Sequence, residues 1–347
     1  MSLKVGIVGL PNVGKSTLFN ALTLNNVPAE NFPFCTVDPN VGVVEVKDTR
    51  LIDINKIVHS NKIVYATINF FDIAGLVRGA HKGEGLGNQF LSHISESDLI
   101  LEVVRDFEDS RVIHVENDVN PQRDIETINT ELILKDIDKA GKLLSQSTNV
   151  IKKDSSYQES IDLLEKIQNI LNMGQLISSE SFSIRELGLL KKFDFLTSKP
   201  ILYLHNISSY VPYIDKNNIY MNILFEYELS RLSSDERNDI MADMEIGESG
   251  IDLLSRFAFQ NLGLRSFFTE GKDEIRAWVI KSGMSAPEAA GVIHTDFKEK
   301  FIKMEVVTFS DFVKNNGWNF SKDAGDLKIV GSDYEVQDGD IVIVRHS

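Results

Sequence analysis

Apolar residues along this chain fall into two kinds of run. Short, nearly continuous ones span Leu3 to Val8, Ile63 to Phe71, Leu99 to Val104 and Pro200 to Asn206, and read as buried strands. Val43 to Val46 alternates weakly and reads as a further strand, while Ser16 to Leu24 has the look of a helix. The spacing changes after about residue 124. Ile125, Ile128, Leu132 and Ile137 recur near helical spacing, as do Ile161, Leu164, Ile167 and Leu171, with the polar stretch Asp154-Ser-Ser-Tyr157 between the two sets. Two long helices joined by a short turn make a helical hairpin, inserted into an α/β domain. Asp235 to Leu254 reads as one more helix, and Gly263-Leu264 closes that domain. Beyond it the runs are short and β-rich: Ala277 to Ile280, Phe301 to Val307, Lys328 to Val330 and Ile341 to Val344. A turn signal at Gln337-Asp-Gly-Asp340 and one helical piece, Thr308 to Asn315, punctuate them. The expected organisation is an α/β domain in two parts, 1–123 and 194–263, a helical insert over 124–193, and a small mixed β domain over 264–347.

Composition narrows the class. The chain has 347 residues, 42% apolar and 25% charged, ordinary for a globular protein of two or three domains. Its formal net charge of −15 argues against a general nucleic-acid binder, whose phosphate contacts need clustered Lys and Arg. From residue 264 onward, 11 basic residues face 14 acidic ones, so most of the excess negative charge lies upstream. Lys298, Lys300 and Lys303 cluster there, as a polyanion-facing surface or as a solvated edge. The single cysteine, Cys35, permits no internal disulfide and suits a reducing compartment. No signal pattern opens the chain, and no apolar run approaches the roughly 18 residues that span a bilayer. The expectation is a cytoplasmic protein without a membrane partner.

Candidate chemistry centres on Gly9-Leu-Pro-Asn-Val-Gly-Lys-Ser-Thr17, which satisfies G-x-x-x-x-G-K-[ST] between a strand and a helix. Its glycines let backbone N–H groups turn inward around a phosphate, and the helix N-terminus adds donors and partial positive charge. Lys15 would reach the β- and γ-phosphates and Ser16 would ligate Mg²⁺. Residues 25–42, with three prolines, form a loop where such nucleotidases carry their first switch, and Thr36 is its candidate Mg²⁺ ligand. Asp72-Ile-Ala-Gly75 follows a strand, placing Asp72 to hold Mg²⁺ through water and Gly75 to sense the γ-phosphate. Glycines at 79, 83, 85 and 87 give the next loop the freedom a switch needs.

Two positions modify this reading. Where Ras-like enzymes carry a water-orienting Gln, this chain has Leu76, so another group must place the water or hydrolysis is slow. His114 is a candidate, although a lone His is more often structural. After the strand ending at Asn206, the guanine-reading Asn-Lys-x-Asp is replaced by Asn206-Ile-Ser-Ser209, which has no carboxylate. That favours ATP or relaxed specificity. Asn206 either bonds an adenine amino group or simply ends a strand.

The chain resembles the Obg-like ATPase family of the YchF type. The resemblance rests on the phosphate loop, Asn31-Phe-Pro-Phe-Cys-Thr36, Asp72-Ile-Ala-Gly-Leu-Val77, Gly83-Glu-Gly-Leu-Gly-Asn-Gln-Phe90, and the segment from Phe107 through His114 to Asn120-Pro121. In the C-terminal part it rests on Arg276-Ala-Trp278, Ala286-Pro287, Ala290 to Phe297 and Asp338-Gly-Asp340. It covers nearly the whole length. It implies a Ras-like domain, a coiled-coil insert and a C-terminal TGS domain of β-grasp fold. It also implies hydrolysis of ATP in preference to GTP, and association with the ribosome (its large subunit, or RNA, through the TGS domain and helical insert). On this resemblance the nucleotide contacts fall on Asn12, Val13, Gly14, Lys15, Ser16, Thr17, Phe34, Gly75, Asn206 and Ile207, the metal ligands on Ser16, Thr36 and Asp72, and the catalytic groups on His114 and Lys15. Asn12 resembles a K⁺-coordinating Asn of related nucleotidases, which implies K⁺ stimulation. Two departures touch base recognition: Ser209 stands where the family usually has Glu, and Asn222-Ile223 where it usually has Ser-Ala.

The reading is a slow ATPase that works as a molecular switch, its loops 30–40 and 75–95 responding to the bound nucleotide. An Obg-type GTPase is one alternative. A nucleotide-gated ribosome- or RNA-binding scaffold with incidental hydrolysis is another. Cys35 within the first switch is a buried filler or a redox-sensitive thiol.

Overall fold

The computed structural model describes residues 3–24, 40–72, 94–109, 118–151 and 158–347, with backbone alone over 147–151. The elements begin with β1 (Lys4–Val8), α1 (Lys15–Leu24), β2 (Val41–Val46), α2 (Thr49–Val58), β3 (Lys62–Val64), β4 (Ala66–Asp72) and β5 (Leu99–Arg105). Next come α3 (Pro121–Ile151), α4 (Gln158–Asn172), α5 (Ile184–Phe193), β6 (Ile201–Asn206), β7 (Tyr213–Asp215) and β8 (Asn218–Met221). Helices α6 (Ile223–Ser230), α7 (Ser234–Asp243) and α8 (Gly250–Asn261) lead to β9 (Leu264–Glu270), β10 (Glu274–Lys281), α9 (Ala286–Ile293) and α10 (Thr295–Glu299). The chain ends with β11 (Phe301–Thr308), α11 (Phe309–Lys314), α12 (Trp318–Asp323), β12 (Lys328–Val330) and β13 (Asp340–His346).

Residues 4–43 and 69–253 form one compact unit. Its sheet runs β2-β4-β1-β5-β6-β8-β7 among the described residues. β1 pairs in parallel with both β4 and β5, and β5 with β6, so their carboxyl ends share one edge. β5 is buried at all seven positions, as befits a central parallel strand covered on both faces. The first turns of α3 close one face, where Ile128 and Leu132 pack against Val8, Ile100 and Ile201. Farther along, Ile133 and Ala140 of α3 join Leu163, Leu164, Ile167 and Leu171 of α4 and Leu190 of α5 in a separate core. The helical segment thus contains a third helix beyond the expected hairpin, and the turn expected at 154–157 lies outside the described residues. Buried Asp136 ties α3 to the short 3-10 turn Leu196–Ser198 that leads into β6, accepting from Leu196 N (3.0 Å), Thr197 N (2.7 Å) and Thr197 Oγ1 (2.7 Å).

Residues 44–68 cluster with 254–347 in the second unit. Its sheet is ordered β12-β11-β13-β9-β10-β3, with α9 packing Ala286, Ala289 and Ala290 against Phe267, Met304 and Val342. β3 lies parallel to β10, pairing Ile63 with Ile275. Helix α2, which the apolar pattern did not reveal, is capped by Asp48, whose side chain accepts from Arg50 N. Arg50 then bridges Asp48 and Asp338, each at 2.7 Å, with its guanidinium 5.0 Å from the Phe268 ring centre.

Two expected elements are divided. The run Ile63 to Phe71 breaks at Tyr65 into β3 and β4, which belong to different sheets. Neither Gly nor Pro marks the break, so periodicity shows one strand where partners make two. The helix expected over 235–254 is two, because the buried Glu226 carboxylate accepts from Gly250 N (2.7 Å) and Ile251 N (3.3 Å) and starts α8 there. No described helix is long and apolar enough to cross a membrane.

Candidate functional site

The carboxyl edge of the parallel strands gathers most of the expected chemistry, the usual place for a ligand in an open α/β sheet. β1 runs into the phosphate loop. Gly9 has φ of 143°, and a Cβ there would stand 2.4 Å from Val103 O of the neighbouring strand. Gly14 has φ of 115°, and a Cβ would meet Asn206 Nδ2 at 2.8 Å. Both glycines are therefore demanded by backbone angle and by space. Asn12 between them is also left-handed, with φ of 62°.

Lys15 opens α1 and is nearly buried, its Nζ donating to Leu10 O at 2.5 Å. Burial lowers its pKa to about 8, opposed in part by the nearby Asp72 carboxylate. Without a polyanion, this ammonium is thus short of solvation. Ser16 is exposed at the helix N-terminus, whereas Val13 is buried behind the loop. Asp72 ends β4 opposite Ile7 in register and is 6% exposed.

A cavity of about 570 Å³ opens at this edge. Asn12 and residues 14–17 line one side, residues 107–109 another, and residues 206–208 and 222–224 a third. Its size is that of a small-molecule pocket. Asn206 is a tie across it. Its Nδ2 donates to Val13 O (3.0 Å), and its Oδ1 accepts from Ile223 N (3.1 Å), a helix-start donor with no partner inside α6. A bond to an adenine amino group would share that Oδ1 with Ile223. Asn222 caps the same helix through Phe225 N (3.0 Å) and donates from Nδ2 to Ser208 O (3.1 Å). The two loops at the expected base end thus hold each other.

Asn12, Val13, Gly14, Lys15, Ser16, Thr17, Asp72, Asn206 and Ile207 therefore meet at one edge or line its cavity. Phe34, Cys35, Thr36, Gly75, Leu76 and His114 lie outside the described residues, as does most of the two loops expected to act as switches, 30–40 and 75–95. Leu224 was not singled out from the sequence, yet it lines the cavity, and Glu108, Asp109 and Ser208, which entered the sequence reading only within longer motifs and not as site residues, line it too. For 107–109 a signal existed, since these residues directly follow the carboxyl end of a buried strand.

A family described as "50S ribosome-binding GTPase" matches residues 4–138. The YchF-GTPase C-terminal family, described as "Protein of unknown function (DUF933)", matches residues 264–347. The chain is 42% identical over 363 residues to the "Ribosome-binding ATPase YchF" of Bacillus subtilis, covering 99% of both chains. It is 41% identical over 357 residues to the protein of that name from Escherichia coli O157:H7, covering 99% of this chain and 98% of the relative. Its fold is similar to the structure of the Schizosaccharomyces pombe YchF GTPase, with a TM-score of 0.90, 34% identity, and coverage of 99% and 98%.

Proposed function

The chain belongs to the YchF family, nucleotide-hydrolysing and ribosome-associated, and from that premise we propose that it is a Mg²⁺-dependent ATPase acting as a slow switch on the ribosome. The observation that carries the proposal is the nearly buried Lys15 on the phosphate loop, lining a cavity of nucleotide size, its charge disfavoured by burial and favoured by Asp72. A triphosphate would favour that charge further. The phosphates lie on the loop N–H groups and Lys15. The base lies between residues 107–109 and the 206–208 and 222–224 loops.

The donors suit Mg²⁺. Ser16 is exposed at the start of α1 and Asp72 is a buried carboxylate at the neighbouring strand end, an all-oxygen pair of the kind a hard cation takes. With Thr36 they would hold the ion, which when bound neutralises charge developing on the phosphates. Lys15 neutralises the β- and γ-phosphates, and His114 is assigned the attacking water by family resemblance. Asn12 would take a K⁺ ion. The second unit, a TGS-type β-grasp domain in this reading, and the helical insert meet the large ribosomal subunit or its RNA, in the cytoplasm.

Base choice is the finer part of the proposal. The names of the relatives include both ATPase and GTPase. Position 209 is Ser, so the loop after β6 offers no carboxylate to guanine N1 and N2. Competition between ATP and GTP for the purified chain, with Mg²⁺ and K⁺, is expected to favour ATP by about tenfold or more. Equal or reversed preference would remove the ATPase label and point to Glu108 or Asp109 as the guanine acceptor. In the companion hydrolysis assay, His114→Ala should bind ATP normally but turn over far more slowly, and wild-type rates should be higher in K⁺ than in Na⁺. Unchanged turnover rejects His114, and equal rates in the two salts reject Asn12 as a K⁺ ligand.

A further inference from the structure

The pocket wall formed by residues 107–109, with Asp106 leading into it, is held from behind by side chains outside the phosphate machinery. Arg105, the last residue of β5, is 2% exposed and is the largest fully buried side chain among the described residues. Its Nε donates to Phe107 O and its Nη2 to Asp109 O, both at 3.1 Å. Its guanidinium lies 4.7 Å from the centre of the Phe107 ring. One planar cation thus fixes two carbonyls and an aromatic ring within five residues. A Lys could not do the same, because it has no rigid fork of donors.

A second clamp acts on the same wall from the neighbouring strand. Asp106 N donates to Asn206 O at 2.9 Å, and the Asp106 carboxylate meets His205 Nδ1 at 3.1 Å. An ionised carboxylate only accepts, so Nδ1 carries the proton. The imidazole is oriented by stacking on Tyr220 (4.5 Å, 20°), which stacks in turn on Tyr213 (4.5 Å, 5°). His205 directly precedes Asn206, the tie to the phosphate loop, so the wall and the loop are referenced to one point on β6.

We propose that Arg105 and His205 are positioning residues for the nucleobase, presetting residues 107–109 as a rigid wall before the ligand arrives. This rests on the nucleotide-pocket reading above. A wall without these donors would have to be ordered on binding, at a cost in affinity. The cost falls on the base, since neither side chain is part of the phosphate loop and the tie from Asn206 to Val13 O is made by Asn206's own side chain.

The test compares Mg·ATP with Mg·tripolyphosphate, which carries phosphates and no base, on wild type, Arg105→Lys and His205→Phe. His205→Phe preserves a ring against Tyr220 and removes only the contact to Asp106. Loss of a charge-assisted bond should weaken ATP binding about tenfold in Arg105→Lys, and the milder change about threefold in His205→Phe. Tripolyphosphate affinity should stay within about twofold in both, because its contacts are those of the phosphate loop. Thermal unfolding without ligand confirms that each variant is folded. Parallel loss for both ligands, or no loss for either, overturns the positioning role. Wild type that binds tripolyphosphate as tightly as ATP instead overturns the base-pocket reading on which it rests.

Discussion

Lys15→Met is expected to lower nucleotide hydrolysis by about 10³-fold or more while leaving the ligand-free protein at least as stable as wild type. The first part follows from the role of an ammonium on the transferring phosphates. The second follows from its surroundings. Burial brings the Lys15 pKa from 10.5 to about 8. At roughly 1.36 kcal/mol per unit, the ligand-free fold therefore carries a burden on the order of 3 kcal/mol at neutral pH. The folded value lies below the unfolded one, so the burden is fully present below about pH 8 and fades as pH rises toward 10.5. Methionine keeps the apolar stem and removes the charge, at the loss of the bond to Leu10 O. Thermal unfolding with and without ATP checks this: the variant should melt no lower alone, and ATP should no longer raise its midpoint. A clearly lower ligand-free midpoint would show that the Leu10 bond outweighs desolvation. The same sign governs wild-type binding. Phosphates require the protonated form, so ATP affinity should fall about tenfold per unit as pH rises beyond about 8. A flat profile between pH 7 and 9.5 would exclude Lys15 as the titrating contact.

Asn206→Ala is expected to destabilise the nucleotide unit by about 2–4 kcal/mol and to abolish measurable ATP binding. Truncation leaves Val13 O and Ile223 N without the side-chain partner that each now has at 3.0 and 3.1 Å. It also frees the phosphate loop from the start of α6. Asn206→Asp sharpens the argument, because it preserves size and the acceptor for Ile223 but turns an oxygen toward Val13 O in place of a donor. A purely steric role predicts that Asp substitutes well. The tie from Val13 O to Ile223 N predicts that it fails nearly as badly as Ala. Melting midpoints and ATP titrations of the two variants decide between them.

Much of the site could be read along the chain because its chemistry is local. The phosphate loop, the strand before it and the helix after it are contiguous, and their residue types are dictated by how backbone amides surround a phosphate. The positions of β1, β5 and β6 were equally legible, since strands buried on both faces have nearly unbroken apolar runs. Other elements were not. Helix α2 buries Leu51 and Ile54 among its described residues, too few for a clear period, and Arg50 is anchored by Asp338 from the far end of the chain. The apolar run at Ile63 gives no hint of two strands, because the choice of partner is made by β10 on one side of Tyr65 and by β1 on the other.

The sequence by itself determined the class of chemistry, a P-loop nucleotidase, and the absence of a carboxylate at position 209. Those follow from side-chain identity over a few consecutive residues. Only the tertiary structure decided that residues 44–68 pack with the C-terminal unit, that Asn206 ties Val13 to Ile223, and that Arg105 and His205 brace the wall at 107–109. Asn206 lies 193 residues from Val13, and His205 lies 99 from Asp106. Hydrogen bonds at such separations exist only once the sheet has brought the strand ends together, so no local pattern encodes them.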